Sequence, residues 1–351
     1  MDSSTDWGVG GVQRGRHWAR VSGMLIHEAR AAIRSRAQIE AAGLSTREIT
    51  ARVRAGTLVR IDQGWYADAT AWRDSYTEGR HLMRVVAADA RRTGGSDLVY
   101  SHTAAAVIWR LPLFRIEPQR VHLSGRSASG HVLASTPTVA RHEVAVPTAD
   151  TVEREGLRCT SLPRTVADLL RGTSEETGLA LADAAVRLRA YDERTGLYDE
   201  AAAEALRAQV AARLPRGGRG VRQARRILGL ADGRAASPGE SVSRLYLLDL
   251  GFAVPRLQVA IPGPAGRTYY VDFGLDDADA WGEYDGEGKY LDPRLRGAGV
   301  DAAQVVLEEK MREDWIRGTT HRRFPRWGKA HTVSAAALGA RLAALSVHPP
   351  R

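Results

Sequence analysis

"TYYVDFGLDDADAWGEYDGEGKY", residues 268–290, decides how the C-terminal third of this chain is read. Its first eight residues have the apolar and β-branched content of a strand and deliver Asp272 near the strand's end. "AWGEYDGEGKY" reads as the next strand and its turn, and its last ten positions hold three carboxylates, three glycines and one lysine. Side chains alternate along a strand, so Glu283 and Asp285 are expected on one face and Tyr284 on the other. Working outward, "VPRLQVAI" reads as a preceding strand. Ser237-Pro238 starts a helix that holds Glu240 in its first turn and stops at Gly251. From Ser237 the expected order is helix, three strands, helix, strand, helix.

Gathering carboxylates is electrostatically costly, so such a cluster calls for a divalent cation or for raised pKa values. Oxygen ligands suit Mg²⁺ or Mn²⁺, with Asp272, Glu283 and Asp285 as the metal ligands. Lys289, four residues past Asp285, is placed to orient a nucleophile or steady a phosphate. A structural alternative uses the same residues as a helix cap (Glu240), a surface charge (Glu283) and a turn (Asp285-Gly286).

The order helix-Glu, strand-Asp, strand-Glu-x-acid resembles the PD-(D/E)XK restriction-endonuclease-like fold, and more narrowly a branch related to the very-short-patch-repair (Vsr) endonucleases. Val271-Asp272-Phe273, Glu283-Tyr284-Asp285-Gly286, Lys289-Tyr290 and the helix run Glu309-Lys310-Met311-Arg312-Glu313-Asp314 carry the resemblance. It implies a catalytic set of Glu240, Asp272, Glu283, Asp285 and Lys289, with Lys310 and Arg312 supporting it from a helix. The implied activity is metal-dependent phosphodiester hydrolysis on DNA. One position departs: Asp285 stands where the superfamily usually has lysine, so either Lys289 or Lys310 is a migrated lysine or the fold is kept without cleavage.

At the other end, "SRAQIEAAGLSTREITARVRAGTLVRIDQGWY", residues 35–66, holds two S-x-x-E/Q capping boxes, Ser35 with Gln38 and Ser45 with Glu48. Gly43 and Gly56 stand where the two helices should stop. On the second helix, Ile49 and Val53 share an apolar face, and Arg47, Thr50 and Arg54 lie opposite. "LVRIDQGWY" then alternates around a turn at Asp62-Gln63-Gly64, as a β-wing would. This predicts a winged helix-turn-helix in which Arg47, Thr50 and Arg54 enter a major groove of double-stranded DNA, with Ser45, Thr46 and Arg60 on the backbone. An amphipathic surface helix in a non-binding domain is the plainer alternative.

The same residues, Gly43-Leu44-Ser45 with Ile49, then Gly56, Leu58, Arg60, Gly64 and Tyr66, resemble the N-terminal winged helix of AbiEi-type antitoxins of type IV toxin–antitoxin systems. "YSHTAAAVIWRLPL", "VHLSG", "GLRCTSLPRTVADLLR" and "LADAAVR" look like the sheet-containing domain that follows it in that family. The resemblance implies transcriptional regulation and a cognate toxin as partner. Within the middle region His102 reads as a turn or packing residue, Ser161-Pro163 as a helix start, Arg164 and Asp168 as an i,i+4 ion pair, and Cys159 as a small buried hydrophobe.

Composition fits this plan. The 351 residues exceed one typical domain, and 50 Lys plus Arg against 41 Asp plus Glu leave a net charge of +9, which favours polyanion partners. One cysteine excludes an internal disulfide or a Cys-rich zinc site and fits a reducing cytoplasm. No apolar run approaches a membrane span or a signal-peptide core, so no membrane association is expected. The expected architecture is α/β and multidomain: a flexible tail at 1–23 with Met24 as an alternative start, a winged helix at 24–75, a middle α/β domain at 76–212, a basic linker with a helix at 213–236, and a nuclease-like α/β domain with a central mixed sheet at 237–351. Two functions remain open: a Mg²⁺-dependent endonuclease tethered to DNA, or a non-enzymatic regulator carrying a degenerate nuclease fold.

Overall fold

The computed structural model describes residues 24–92, 98–126, 134–286 and 302–350. The tail at 1–23 and Lys289 lie outside the described residues. Within them the chain is a mixed α/β protein with three sheets, and no helix is long and apolar enough to cross a membrane. It folds as two compact units, one containing residues 24–189 and 201–231 and the other 190–200 and 232–350.

The first unit begins with α1 (Ile26–Ala32), β1 (Ile33–Ser35), α2 (Arg36–Ala41), α3 (Thr46–Arg54), β2 (Leu58–Asp62) and β3 (Trp65–Asp68). Both capping boxes form: Ser35 Oγ accepts from Gln38 N–H at 3.2 Å, and Ser45 Oγ from Glu48 N–H at 3.3 Å, with Gln38 and Glu48 reaching back to the cap amides. Gly43 and Gly64 take left-handed φ of 95° and 73°, turning the chain after α2 and between β2 and β3. Ile39, Ile49 and Tyr66 form the core beneath the two helices, with Leu44, Val53 and Leu58 packed around it. The unforeseen element is β1, which pairs antiparallel with β3 to make a three-stranded sheet in the order β1-β3-β2.

This segment continues without a break into the rest of its unit. After α4 (Ala69–Asp74), α5 (Thr77–Ala90) packs on α1, and Arg91 at its end pairs with the buried Asp62 carboxylate of the hairpin at 2.8 Å. The expected division at 75/76 therefore falls inside one packed body. A five-stranded mixed sheet follows, in the order β6-β5-β4-β8-β7, from β4 (Val99–Tyr100), β5 (Val121–Ser124), β6 (Val139–His142), β7 (Thr151–Arg154) and β8 (Leu157–Thr160). It packs with α6 (His102–Ile108), and α6 with α7 (Leu162–Leu170). The Ser161 cap and the Arg164–Asp168 pair, at 2.9 Å, stand as expected. Cys159 is fully buried, and burial pushes its thiol up to about 12, so it is inert at neutral pH.

After α8 (Glu175–Ala190) and α9 (Glu200–Ala211), α10 (Val221–Leu230) buries Val221, Ala224, Ile227 and Leu228 and packs on α7. The basic helix of the expected linker is thus a docked element, because its apolar stripe finds a partner while its arginines stay at the surface.

The second unit runs α11 (Pro238–Asp249), β9 (Arg256–Pro262), β10 (Thr268–Leu275), β11 (Ala280–Asp285), α12 (Ala302–Thr320), β12 (Arg326–Gly328) and α13 (Ala335–Ala343), the order expected from Ser237 onward. Its sheet is β12-β11-β10-β9, antiparallel except for the parallel pair β11–β12, so it is mixed. Tyr284 lies against Gly239 of α11, where a Cβ would come within 2.0 Å of the ring. On the same helix Ser243 Oγ accepts from Trp327 Nε1 at 2.8 Å, and Trp327 stacks on Phe273. Trp281, Val271, Ile261, Ile316 and Phe324 form a second core beneath α12.

Candidate functional site

The carboxylates predicted from sequence split into two connected groups within the second unit. Glu240 and Asp272 form the first. Glu240 is buried, accepts from Ala236 N–H at 2.8 Å and from Ser237 Oγ at 3.0 Å, and its own N–H donates at 3.2 Å to Ser237 Oγ, which caps the start of α11. Its Oε2 and Asp272 Oδ1 both accept from the amide of Gln258, each at 3.1 Å, so one nitrogen on β9 draws the two acids together. The other Asp272 oxygen accepts from Tyr284 N–H at 2.8 Å, which fixes Asp272 beside β11. Gln258 holds a left-handed φ of 49°, a strained conformation for a side chain of this kind. Sequence reading passed over Gln258 because it stands inside an otherwise ordinary strand pattern.

Glu283 and Asp285 form the second group. Each meets an arginine, and Tyr284 between them turns to α11, as alternation requires. Arg312 of α12 pairs with the buried Glu283 and with Glu309 at 3.1 Å, and donates to the Tyr270 carbonyl at 3.0 Å. Arg326 lies opposite Glu283 in the β11–β12 register. Its Nε and one terminal nitrogen hold both oxygens of Asp285 at 2.9 and 2.7 Å, and the other reaches Glu313 at 2.9 Å and Glu309 at 3.2 Å. Burial alone would lower the pKa of both arginines; for Arg312 the Glu283 and Glu309 carboxylates outweigh it, and for Arg326 Asp285, Glu283 and Glu313 do, so both stay firmly charged. Burial likewise pushes Glu313 up, but hydrogen bonds from Arg326 and Arg317 hold it below the usual carboxylate range. Lys310, on the same helix, is exposed.

The fit of this set to Mg²⁺ can be judged from its geometry. Asp285 has both oxygens engaged by one guanidinium. Among the described residues, no three carboxylates bring ligand oxygens within 4.8 Å of one another; the group that converges so closely is His102, His122 and His142 of the first unit. As arranged, the described carboxylates form a charge-compensated cluster and not a ready octahedral cage, which would need several oxygens at about 2.0–2.1 Å from one ion. A cavity of about 290 Å³ opens beside the cluster, lined by Arg317, Arg323, Arg326 and Arg341 with Glu313. Arg322 pairs instead with Asp276 at 2.7 Å and Asp279 at 3.1 Å, and is not among the residues lining it.

The other predicted set lies on α3 and the hairpin of the first unit. Ser45, Thr46, Arg47, Thr50, Arg54 and Arg60 are all exposed, while Ile49 on the opposite face of α3 is buried. Thr46 Oγ1 donates to Glu40 at 2.8 Å and Thr50 Oγ1 to the Thr46 carbonyl at 2.9 Å, which pins two of the polar side chains to the helices. Hydrogen bonds from Ser45 lower the Glu48 pKa, so the cap carries a full negative charge at the N-terminus of α3.

No family model matches this chain. It is similar to an uncharacterized protein of Mycobacterium tuberculosis (strain CDC 1551 / Oshkosh) and to an uncharacterized protein of strain ATCC 25618 / H37Rv, each 36% identical over 109 residues. That stretch covers 28% of this chain and 40% of either relative, so the chain spans well under half the length of the curated relatives it matches.

Proposed function

We propose that this chain is a DNA-binding regulator whose first unit reads duplex DNA through a winged helix-turn-helix. The observation that carries the proposal is α3 itself: an exposed row of Arg47, Thr50 and Arg54, anchored from behind by Ile49 and flanked by a hairpin presenting Arg60. A capped helix of this kind offers side chains to base edges, and a hairpin arginine supplies a phosphate contact. The net charge of +9 favours the polyanion, and the arginine-lined cavity of the second unit adds a further place for phosphate. The second unit, with the element order of a restriction-endonuclease-like fold, then serves as a non-hydrolytic module, its acids neutralised by Arg312 and Arg326. The likeness to AbiEi antitoxins makes a cognate toxin the expected protein partner.

The test is selection of bound duplexes from a random library, followed by binding measured across salt concentrations. Arg60→Ala should weaken all duplexes alike and reduce the salt slope by about one. Arg47→Ala with Arg54→Ala should erase discrimination between selected and random DNA, at about 1–3 kcal/mol per lost base contact. Unchanged selectivity in the double variant would remove α3 from the interface.

A second reading, metal-dependent phosphodiester hydrolysis, is favoured by one observation: Gln258 draws Glu240 and Asp272 together, and Asp272 is held beside Glu283 through the Tyr284 amide. It predicts plasmid cleavage with Mg²⁺ or Mn²⁺ by the wild type and none by Asp272→Ala. Absence of cleavage by the wild type leaves the regulator.

A further inference from the structure

Three histidines spaced twenty residues apart in the chain meet in the first unit. His122 and His142 come from the parallel strands β5 and β6, where His142 lies opposite Ser124, two residues past His122, so both rings emerge on one face. His102 opens α6, and the neighbouring Ser101 amide donates to the His122 carbonyl at 3.0 Å, holding the third ring over the other two. Ring centroids lie 4.3 Å apart for His102 and His142, 5.1 Å for His122 and His142, and 5.3 Å for His102 and His122. His122 Nδ1 and His142 Nε2 approach to 2.9 Å, and one ligand nitrogen from each ring falls within 4.8 Å of the others.

The geometry points to a divalent transition-metal site in which His102, His122 and His142 give one nitrogen each, with Zn²⁺ as the cation that this ligand set suits best. Three imidazoles plus an open fourth position is the ligand set of catalytic zinc sites, whereas Mg²⁺ and Ca²⁺ demand oxygen. Zinc–nitrogen bonds of about 2.0–2.1 Å in a tetrahedral arrangement put ligand nitrogens about 3.4 Å apart, so the His122–His142 pair needs to part by only about half an ångström.

Independent features prepare the site. The orientation of His102 is fixed as metal-bound histidines are, by a hydrogen bond at the ring nitrogen away from the ion: its Nδ1 lies 3.0 Å from Ser101 Oγ, to which the buried Ser124 Oγ donates at 2.8 Å. His102 also holds a left-handed φ of 50°, a conformation that side-chain-bearing residues rarely adopt and that concentrates at functional sites. All three residues are half-buried.

The experiment uses the full chain stripped with EDTA and titrated with Zn²⁺ by calorimetry and with Co²⁺ by visible absorption. One equivalent of Co²⁺ with the intense d–d bands of a tetrahedral site is expected. His142→Gln and His122→Gln should each weaken Zn²⁺ binding about 100-fold or more, with His348→Gln, at an exposed histidine of the second unit, unchanged. A rise in the wild-type melting temperature with Zn²⁺ reads the same site without a substitution. Failure of the wild type to bind either ion, or binding that survives both histidine variants, overturns the proposal, as does binding lost only in His348→Gln.

Discussion

Arg326→Met removes the guanidinium that bridges β12 to β11 and α12 while keeping an unbranched side chain in its place. Three carboxylates, Asp285, Glu309 and Glu313, would then lose a partner 2.7–3.2 Å away, while Arg312 keeps its pairs with Glu283 and Glu309 and Arg317 its pair with Glu313. Breaking a fully buried pair from one side costs about 3–5 kcal/mol, whereas an exposed pair is worth about 0–1. The side chain of Arg326 is 20% exposed and that of Asp285 36%, so the expected loss lies between, about 2–3 kcal/mol. Urea unfolding followed by tryptophan fluorescence should show the midpoint of this unit fall by about 0.7–3 M at unchanged slope, for a slope in the usual range of about 1–3 kcal/mol per M. Arg326→Lys should recover only part, since an ammonium cannot hold both Asp285 oxygens in a fork. A fall below about 0.3 M in the methionine variant would refute the view that this arginine neutralises the cluster. Adding Mg²⁺ sharpens the test: it should restore part of the midpoint in Arg326→Met, where the acids are released, and leave the wild type unmoved. A wild-type shift would instead favour the hydrolytic reading.

Gly239→Ala should cost about 1–3 kcal/mol, read as a lower melting temperature, because the new Cβ lands 2.0 Å from a Tyr284 ring carbon, and Tyr284→Leu in the same chain should relieve part of that cost. Histidine linkage sets an acid limb in the first unit: burial holds His81 at about 3, His102 at about 3 and His122 at about 4, below an unfolded value of about 6.5, so the unfolded chain binds more protons between these values. Stability is therefore full above pH 6.5 and is lost as pH falls toward 4. The slope is up to about 1.4 kcal/mol per pH unit for each histidine, and a metal-free melting series flat from pH 7 to 5 would contradict this. His81→Met should remove about one third of that limb without losing a hydrogen bond, since neither ring nitrogen of His81 has a partner among the described residues. Ser45→Ala should lower the stability of α3 by about 1 kcal/mol in urea unfolding, by removing the acceptor for the Glu48 amide.

What could be read from the sequence was whatever neighbouring residues decide among themselves. Two capping boxes need four residues each, so Ser35–Gln38 and Ser45–Glu48 located α2 and α3. Strand alternation placed Glu283 and Asp285 apart from Tyr284, and the Ser237 cap placed Glu240 at the start of α11. Strand β1 escaped notice because three residues between two helices carry no alternation, and their pairing with Trp65–Ala67 exists only once the hairpin has formed. Long-range charge pairing was equally invisible. Asp285 finds Arg326 forty-one positions on, across a parallel strand pair, and Glu283 finds Arg312 on a helix reached through a long connection. Grouped acids call for positive charge, and where the sequence pattern points to a divalent cation, the described residues set Arg312 beside Glu283 and Arg326 beside Asp285. The histidines show the converse. His102, His122 and His142 share no spacing that resembles a metal motif, because β5 and β6 are neighbours in the sheet through a connection and the helix start is brought to them by Ser101. Where ligands come from separate elements, their convergence is set by strand register, and only a register such as Ser124 opposite His142 turns three isolated imidazoles into one site.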